Sequence, residues 1–151
     1  MDDGSTVDAP VAPADPPAGS AAATVRAYYD DLRNGEPLYP YFHEAPTTVK
    51  FGVSERLTGY EAVAAGLREQ TRTTADWHVV SDRLVVEARD CHAWFSDDVR
   101  MAWTDTGRGV RHEFDTRWSG TLERDDAGDD ADDSPPWLFT GMHVSTSVEG
   151  R

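Results

Sequence analysis

Lysine is nearly missing from this chain. Lys50 stands alone against thirteen arginines, while nineteen aspartates help bring the formal net charge to -14 over 151 residues. A surface of that sign repels the phosphates of nucleic acid and anionic lipid headgroups, so neither is expected as a partner. The acid excess fits a salt-rich cytoplasm. Dense carboxylates keep a surface hydrated, and molar salt screens their mutual repulsion within a Debye length of about 3 Å, so stability is expected to rise with salt. Cysteine is just as scarce. The single Cys91 excludes an intrachain disulfide, fits a reducing compartment and, in a strand context, is expected to be a small buried apolar residue. No stretch approaches the roughly 18 apolar residues of a membrane span, and Asp2 and Asp3 stand where a signal peptide would carry basic groups. A soluble, cytoplasmic protein is expected. There is no glycine-rich phosphate loop, no Gly-x-Ser-x-Gly, no His-Glu-x-x-His and no Cys-x-x-Cys, which removes the usual nucleotide, hydrolase and zinc readings. No cofactor and no metal are expected.

What is present begins with a tail. Residues 1–19 hold Pro10, Pro13, Pro16, Pro17 and four aspartates with only two valines, too little apolar surface to offset the entropy of ordering, so they are expected to be disordered. Residues 20–151 then form one domain. Ser20 or Thr24 is placed to cap a helix running to about Asn34, with Val25, Tyr28 or Tyr29, and Leu32 on one face and Gly35 as its stop. A helical turn follows Pro37, and Thr47–Phe51 reads as a short strand. A further helix spans Tyr60 to about Arg72, in which Gly66 costs about 1 kcal/mol relative to alanine and marks a point of close packing.

The remainder reads as strands. Trp77–Ala88 and Cys91–Asp105 carry apolar groups at both parities, and Val110–Val148 contains two long β-branched and aromatic arms that form a hairpin. Two or three helices cover only one face of such a sheet, so a homodimer through the outer sheet face is expected. The loop Asp125–Pro136 carries six aspartates but lacks the alternation and closing glutamate of a calcium loop, and is expected to be a solvated connection.

Trp137-Leu138-Phe139-Thr140-Gly141-Met142-His143-Val144-Ser145 resembles the closing strand of the SnoaL-like domain of the nuclear-transport-factor-like superfamily, whose members also include ketosteroid-isomerase-like proteins. Arg117–Arg124 resembles the strand before it, and Ala93-Trp94-Phe95 an earlier one, so the order of elements matches from about Ala21 to Val148. The resemblance implies an α+β cone: a curved, mostly antiparallel sheet wrapped around a long N-terminal helix, with a central pocket. It does not imply one activity. Members include isomerases, cyclases, dehydratases and modules that only bind or oligomerise, so function is argued from the site.

Pairing Leu122 with Trp137 places His143 in a row with Thr116 and Asp98, and a slip of one residue brings in Asp115 or Arg117, and Asp97. An ionisable group in mid-strand is costly to bury unless paired. The catalytic candidates are therefore His143, Asp97 and Asp98, with Tyr29, Trp94, Asp115, Arg117 and His143 expected to line the pocket. Two readings stay open: His143 is the polar group of a cavity, or it bonds locally in the core while Asp97, Asp98 and Arg117 form an ion network on the outer face. By the same pairing His112 lies opposite Ser147, so no trio of histidines converges on a metal. The function expected is binding of a small, largely apolar, carbonyl-containing molecule, with proton transfer as its chemistry. The alternative is a non-catalytic structural or oligomerisation module, and the residues alone leave open whether the protein is an enzyme.

Overall fold

The computed structural model describes residues 10–124 and 137–147. Helix α1 (Ala21–Asn34) starts where the Ser20 side chain accepts a hydrogen bond from the Ala23 amide, and stops at Gly35, whose φ of 70° is the left-handed conformation that glycine adopts without strain. A 3-10 turn (Tyr39–Tyr41) leads to strands β1 (Val49–Phe51) and β2 (Arg56–Thr58), then to helix α2 (Tyr60–Thr73). Five strands follow: β3 (Thr74–Ser81), β4 (Val85–Ala88), β5 (His92–Asp105), β6 (Val110–Arg124) and β7 (Trp137–Thr146).

These strands form one sheet in the order β2-β1-β7-β6-β5-β3, with β4 pairing further along β5. All its pairings are antiparallel except β1 with β7. This is the α+β arrangement expected from the element order, a curved sheet around α1. Where one expected strand spanned Trp77–Ala88 there are two, because Ser81 pairs with Val99 while Val85 pairs with Ser96. Strand β2 was not anticipated. It pairs with β1 and packs under α2 at Gly66, where an added Cβ would lie 2.7 Å from Leu57 Cδ1.

Side chains of β5 alternate strictly from His92 to Met101, one face buried and the other exposed. Apolar residues do fall at both parities, Trp94 and Ala102 on the outward one and Phe95 and Trp103 on the inward one, but Trp94 is the one large apolar side chain of this strand that faces outward. The inner face packs on α1 through Val25, Tyr28, Tyr29 and Leu32, each at most 4% exposed. Tyr28 sits at the centre, its ring edge-on to Tyr41, Phe42, Trp118 and Phe139.

The register of the last hairpin differs from expectation. Trp137 pairs with Arg124 and Phe139 with Leu122, and an irregularity between Thr121 and Leu122 leaves Thr140 as an extra residue. That bulge shifts the pairing again, so His143 lies opposite Ser119, which in turn lies opposite Ser96. Thr116 pairs with Thr146 at the end of the β6–β7 ladder, and His112 has no partner on β7 within it.

Residues 1–9 of the expected tail and the aspartate-rich loop lie outside the described residues. From Pro10 the chain is tied down: the Ala12 amide donates to Leu84 O, and the Arg26 guanidinium donates to the carbonyls of Ala12 and Pro13. Cys91 is exposed rather than buried, because it sits in the turn before β5 and not within a strand. Among the described residues no helix is long and apolar enough to cross a membrane.

Candidate functional site

Between α1 and the open end of the sheet lies a cavity of about 140 Å³. Its wall is largely apolar, made by Leu32 of α1, Trp77 of β3, Met101 and Trp103 of β5, Trp118 of β6 and Val144 of β7. The aromatic walls are fixed in place. Trp118 donates its indole N–H to Thr116 Oγ1 (3.0 Å), and that hydroxyl in turn donates to Val99 O. Trp77 donates to Thr74 Oγ1 (2.8 Å) and stacks on Trp103 with ring centres 4.8 Å apart. It is turned inward by a bulge between Ala75 and His78, where Asp76 has a φ of 55°.

Six polar side chains line the same space: Ser54, Gln70 and Thr74, and the three with acid–base chemistry, Lys50, Glu55 and Tyr28. Lys50 comes from β1, on the same face as its register partner Met142, and is 5% exposed. Its Nζ donates to Glu55 Oε2 at 2.5 Å, Glu55 lying in the loop that joins β1 to β2. Tyr28, 1% exposed, lines the same cavity, and its hydroxyl has no hydrogen-bond partner among the described residues. Burial pushes the Tyr28 pKa well above the ordinary tyrosine value, and the nearby Glu55 and Tyr41 add to this. The phenol therefore stays protonated and able to donate. An apolar cavity holding a free hydroxyl donor beside a carboxylate can polarise a carbonyl and take a proton from the adjacent carbon.

The residues singled out from the sequence lie elsewhere. His143 is on the exposed outer face, its ring edge-on to Phe51 at 6.2 Å, and does not line the cavity. Met142 and Val144 on either side of it face inward, so the expectation chose the wrong parity on β7. Asp98, Asp115 and Arg117 are also exposed on that outer face, Arg117 donating to Ser145 Oγ (3.1 Å). Trp94 is 42% exposed there, stacked on His92 with the Arg89 guanidinium over its ring.

Asp97 does face inward, but not into the cavity. It is 4% exposed and accepts three hydrogen bonds: from the Tyr29 hydroxyl (2.8 Å), the Ser81 hydroxyl (2.6 Å) and the Arg83 amide (2.9 Å). These bonds join α1, β5, the end of β3 and the start of the β3–β4 connection. Burial raises the pKa of Tyr29 far beyond its ordinary value, and the Asp97 charge and hydrogen bond reinforce it. Tyr29 is thus a structural donor, and its neighbour Tyr28 is the cavity tyrosine. Lys50, Glu55 and Tyr28 were missed as site residues. The signal for Lys50 was present all the same: a chain that otherwise uses only arginine keeps its one lysine on a short strand. Among the described residues no group of three His, Cys, Asp or Glu side chains could hold a metal ion.

Comparison with known proteins agrees with this fold. Residues 21–130 match the model of the SnoaL-like domain family. No curated protein matches the sequence. Among solved structures, a nuclear transport factor 2 (NTF2-like) superfamily protein from Salmonella enterica superposes with a TM-score of 0.68 at 14% identity, covering 85% of this chain and 89% of its own. A ketosteroid isomerase-like protein from Erwinia carotovora gives 0.65 at 14% identity, over 83% and 92% of the two chains. A putative calcium/calmodulin-dependent protein kinase II association domain from Xanthomonas campestris gives 0.69 at 20% identity, over 95% and 97%. At these identities the likeness is one of fold.

Proposed function

Because the chain belongs to the SnoaL-like domain family, whose cone encloses a space that different members use differently, we propose that this cavity binds a small, largely apolar ketone or aldehyde and catalyses proton transfer at the carbon beside its carbonyl. The observation that carries this reading is the buried Tyr28 hydroxyl, without a hydrogen-bond partner among the described residues, lining one cavity with the Lys50–Glu55 pair. The cavity volume of about 140 Å³ is on the scale of the roughly 150 Å³ apolar cavity that accepts benzene, so one ring with a short carbonyl substituent is a fitting ligand. In such a complex the Tyr28 hydroxyl donates to the carbonyl oxygen, and Glu55 accepts the α-proton. The negative charge that develops on oxygen is met by Tyr28, which is buried at the inner end of a site flanked by Trp77, Trp103 and Trp118. The test is exchange of the methyl hydrogens of acetophenone in D2O. Catalysed exchange that is lost in Glu55→Gln supports the reading, and exchange no faster than in buffer sinks it.

A second reading concerns a copy of the same chain. The likeness to an association domain and a groove on the outer sheet face around His78, Val80, Arg100, Ala102 and Asp115 favour pairing of two chains there. Val80 is 41% exposed, and Arg100 and Asp115 face each other across β5 and β6, so a twofold-related copy brings both apolar contact and opposite charges. Light scattering at micromolar concentration in molar potassium chloride is expected to give twice the chain mass. Val80→Asp is expected to halve it, and a wild-type monomer under those conditions would remove the dimer.

A further inference from the structure

Thirteen of this chain's fourteen basic side chains are arginines, which remain charged and are not nucleophiles, whereas the fourteenth is a primary amine placed inside the cavity. Lys50 is 5% exposed there, with a carboxylate at 2.5 Å to take its proton and the free Tyr28 hydroxyl lining the same space. A structural role for the pair is weakly motivated. The β1–β2 hairpin is already closed by its ladder from Val49↔Thr58 to Phe51↔Arg56 and by the Gly52 amide donating to Glu55 O at 3.0 Å. Replacing a buried ion pair by apolar groups is commonly neutral or stabilising, so a chain that otherwise avoids lysine has no evident need for one here.

We propose that Lys50 is a catalytic residue that forms a covalent imine with the carbonyl carbon of the ligand. The proposal rests on the carbonyl-binding reading above and specifies how that carbonyl is activated. Glu55 takes one proton from the Lys50 ammonium, freeing the nitrogen lone pair. The nitrogen attacks the carbonyl carbon, and the carbonyl π-bond becomes an oxygen lone pair held by the Tyr28 hydroxyl. A second proton passes from nitrogen to oxygen, giving a neutral carbinolamine. Glu55 returns its proton to that oxygen, the C–O bond breaks and water leaves. The products are a protonated imine on Lys50 and an ionised Glu55, so the net change is ammonium plus carbonyl to iminium plus water, with no redox change. The iminium is a stronger electron sink than the ketone, and the regenerated Glu55 carboxylate stands ready to take the α-proton. Water reverses the sequence and releases product.

Benzaldehyde is the probe, since it carries no α-hydrogen and reports imine formation apart from proton transfer. The wild-type protein is incubated with benzaldehyde and sodium cyanoborohydride at neutral pH, with Nα-acetyllysine in the same solution as the reference amine. Peptide mapping by mass spectrometry follows benzylation at Lys50, which no second lysine can obscure. Labelling at least about tenfold faster than the reference is expected, saturating with benzaldehyde and competed by acetophenone, because an ordinary exposed lysine reacts at the reference rate. Tyr28→Phe, which leaves Lys50 in place, is expected to slow labelling. Acetophenone binding measured by calorimetry separates the two possible failures. If acetophenone binds but Lys50 is labelled no faster than the reference, the imine is overturned and the cavity reading stands. If acetophenone does not bind and Lys50 is not labelled, both are overturned.

Discussion

Asp97→Ala is expected to cost about 3–5 kcal/mol in folding stability, measured by urea denaturation monitored through tryptophan fluorescence. The carboxylate accepts from Tyr29, Ser81 and Arg83 and is almost completely buried, so its removal strands three donors at once. Hydrogen bonds to a charged group contribute about 1.5–3 kcal/mol each, and the figure here allows for one donor recovering water. Tyr29→Phe removes a single donor and leaves the other two in place, so it is expected to cost about 1–2 kcal/mol. A catalytic Asp97, as the sequence alone suggested, would behave in the opposite way: stability near wild type, with acetophenone exchange abolished.

The second large effect falls on Glu55. As general base it is expected to contribute about 10²–10⁴-fold to α-proton exchange, so Glu55→Gln lowers the rate by that factor, measured by deuterium incorporation followed with NMR. The glutamine carbonyl still accepts from Lys50, but the buried ammonium loses its counter-charge, so the variant's folding is measured by urea denaturation alongside its exchange rate. Tyr28→Phe removes one donor to the developing oxyanion, and a loss of about 10²–10³-fold is expected. His143→Ala is expected to leave exchange and folding unchanged, since among the described residues its ring is exposed and edge-on to Phe51 on the outer face. A His143→Ala variant that lost exchange while Glu55→Gln kept it would restore the site expected from the sequence.

These two sites show which information the sequence displays openly. Helix α1 was legible because its ends are local chemistry: Ser20 caps the first turn, Gly35 takes the left-handed exit, and Val25, Leu32 and the paired tyrosines mark one face. Strands β5 and β6 were legible in extent, because β-branched and aromatic residues fill both and Gly107 and Gly109 occupy the turn between them. The site was not legible because it depends on parity. Side chains alternate with a period of two, so a register error of one residue moves every candidate to the opposite face. The extra residue at Thr140 is such an error in waiting, and nothing in the pattern of β7 announces it. The expected row joined His143 to Thr116 and Asp98, whereas Thr116 faces inward, His143 lies opposite Ser119, and His143, Asp98, Asp115 and Arg117 are exposed on the outer face.

Tyr28 and Tyr29 show the same limit on a helix. Both are buried, and only the three-dimensional surroundings separate them: Asp97 accepts from Tyr29, while Tyr28 lines the cavity. Lys50 and Glu55 were passed over because β1 is three residues long and β2 was not anticipated, so the loop between them had no frame that aimed it at the sheet's inner face. Composition offered the one usable hint. Where arginine carries nearly all the positive charge, the position that departs from it asks for an explanation that a solvated surface cannot supply.

The most direct test of the central claim is a crystal structure of the protein grown with acetophenone. The account predicts the phenyl ring between Trp77, Trp103 and Trp118, the oxygen or the carbon that bore it within bonding reach of Tyr28 Oη and Lys50 Nζ, and the methyl carbon beside Glu55. An empty cavity, or a ligand seated on the outer face beside His143, would contradict it.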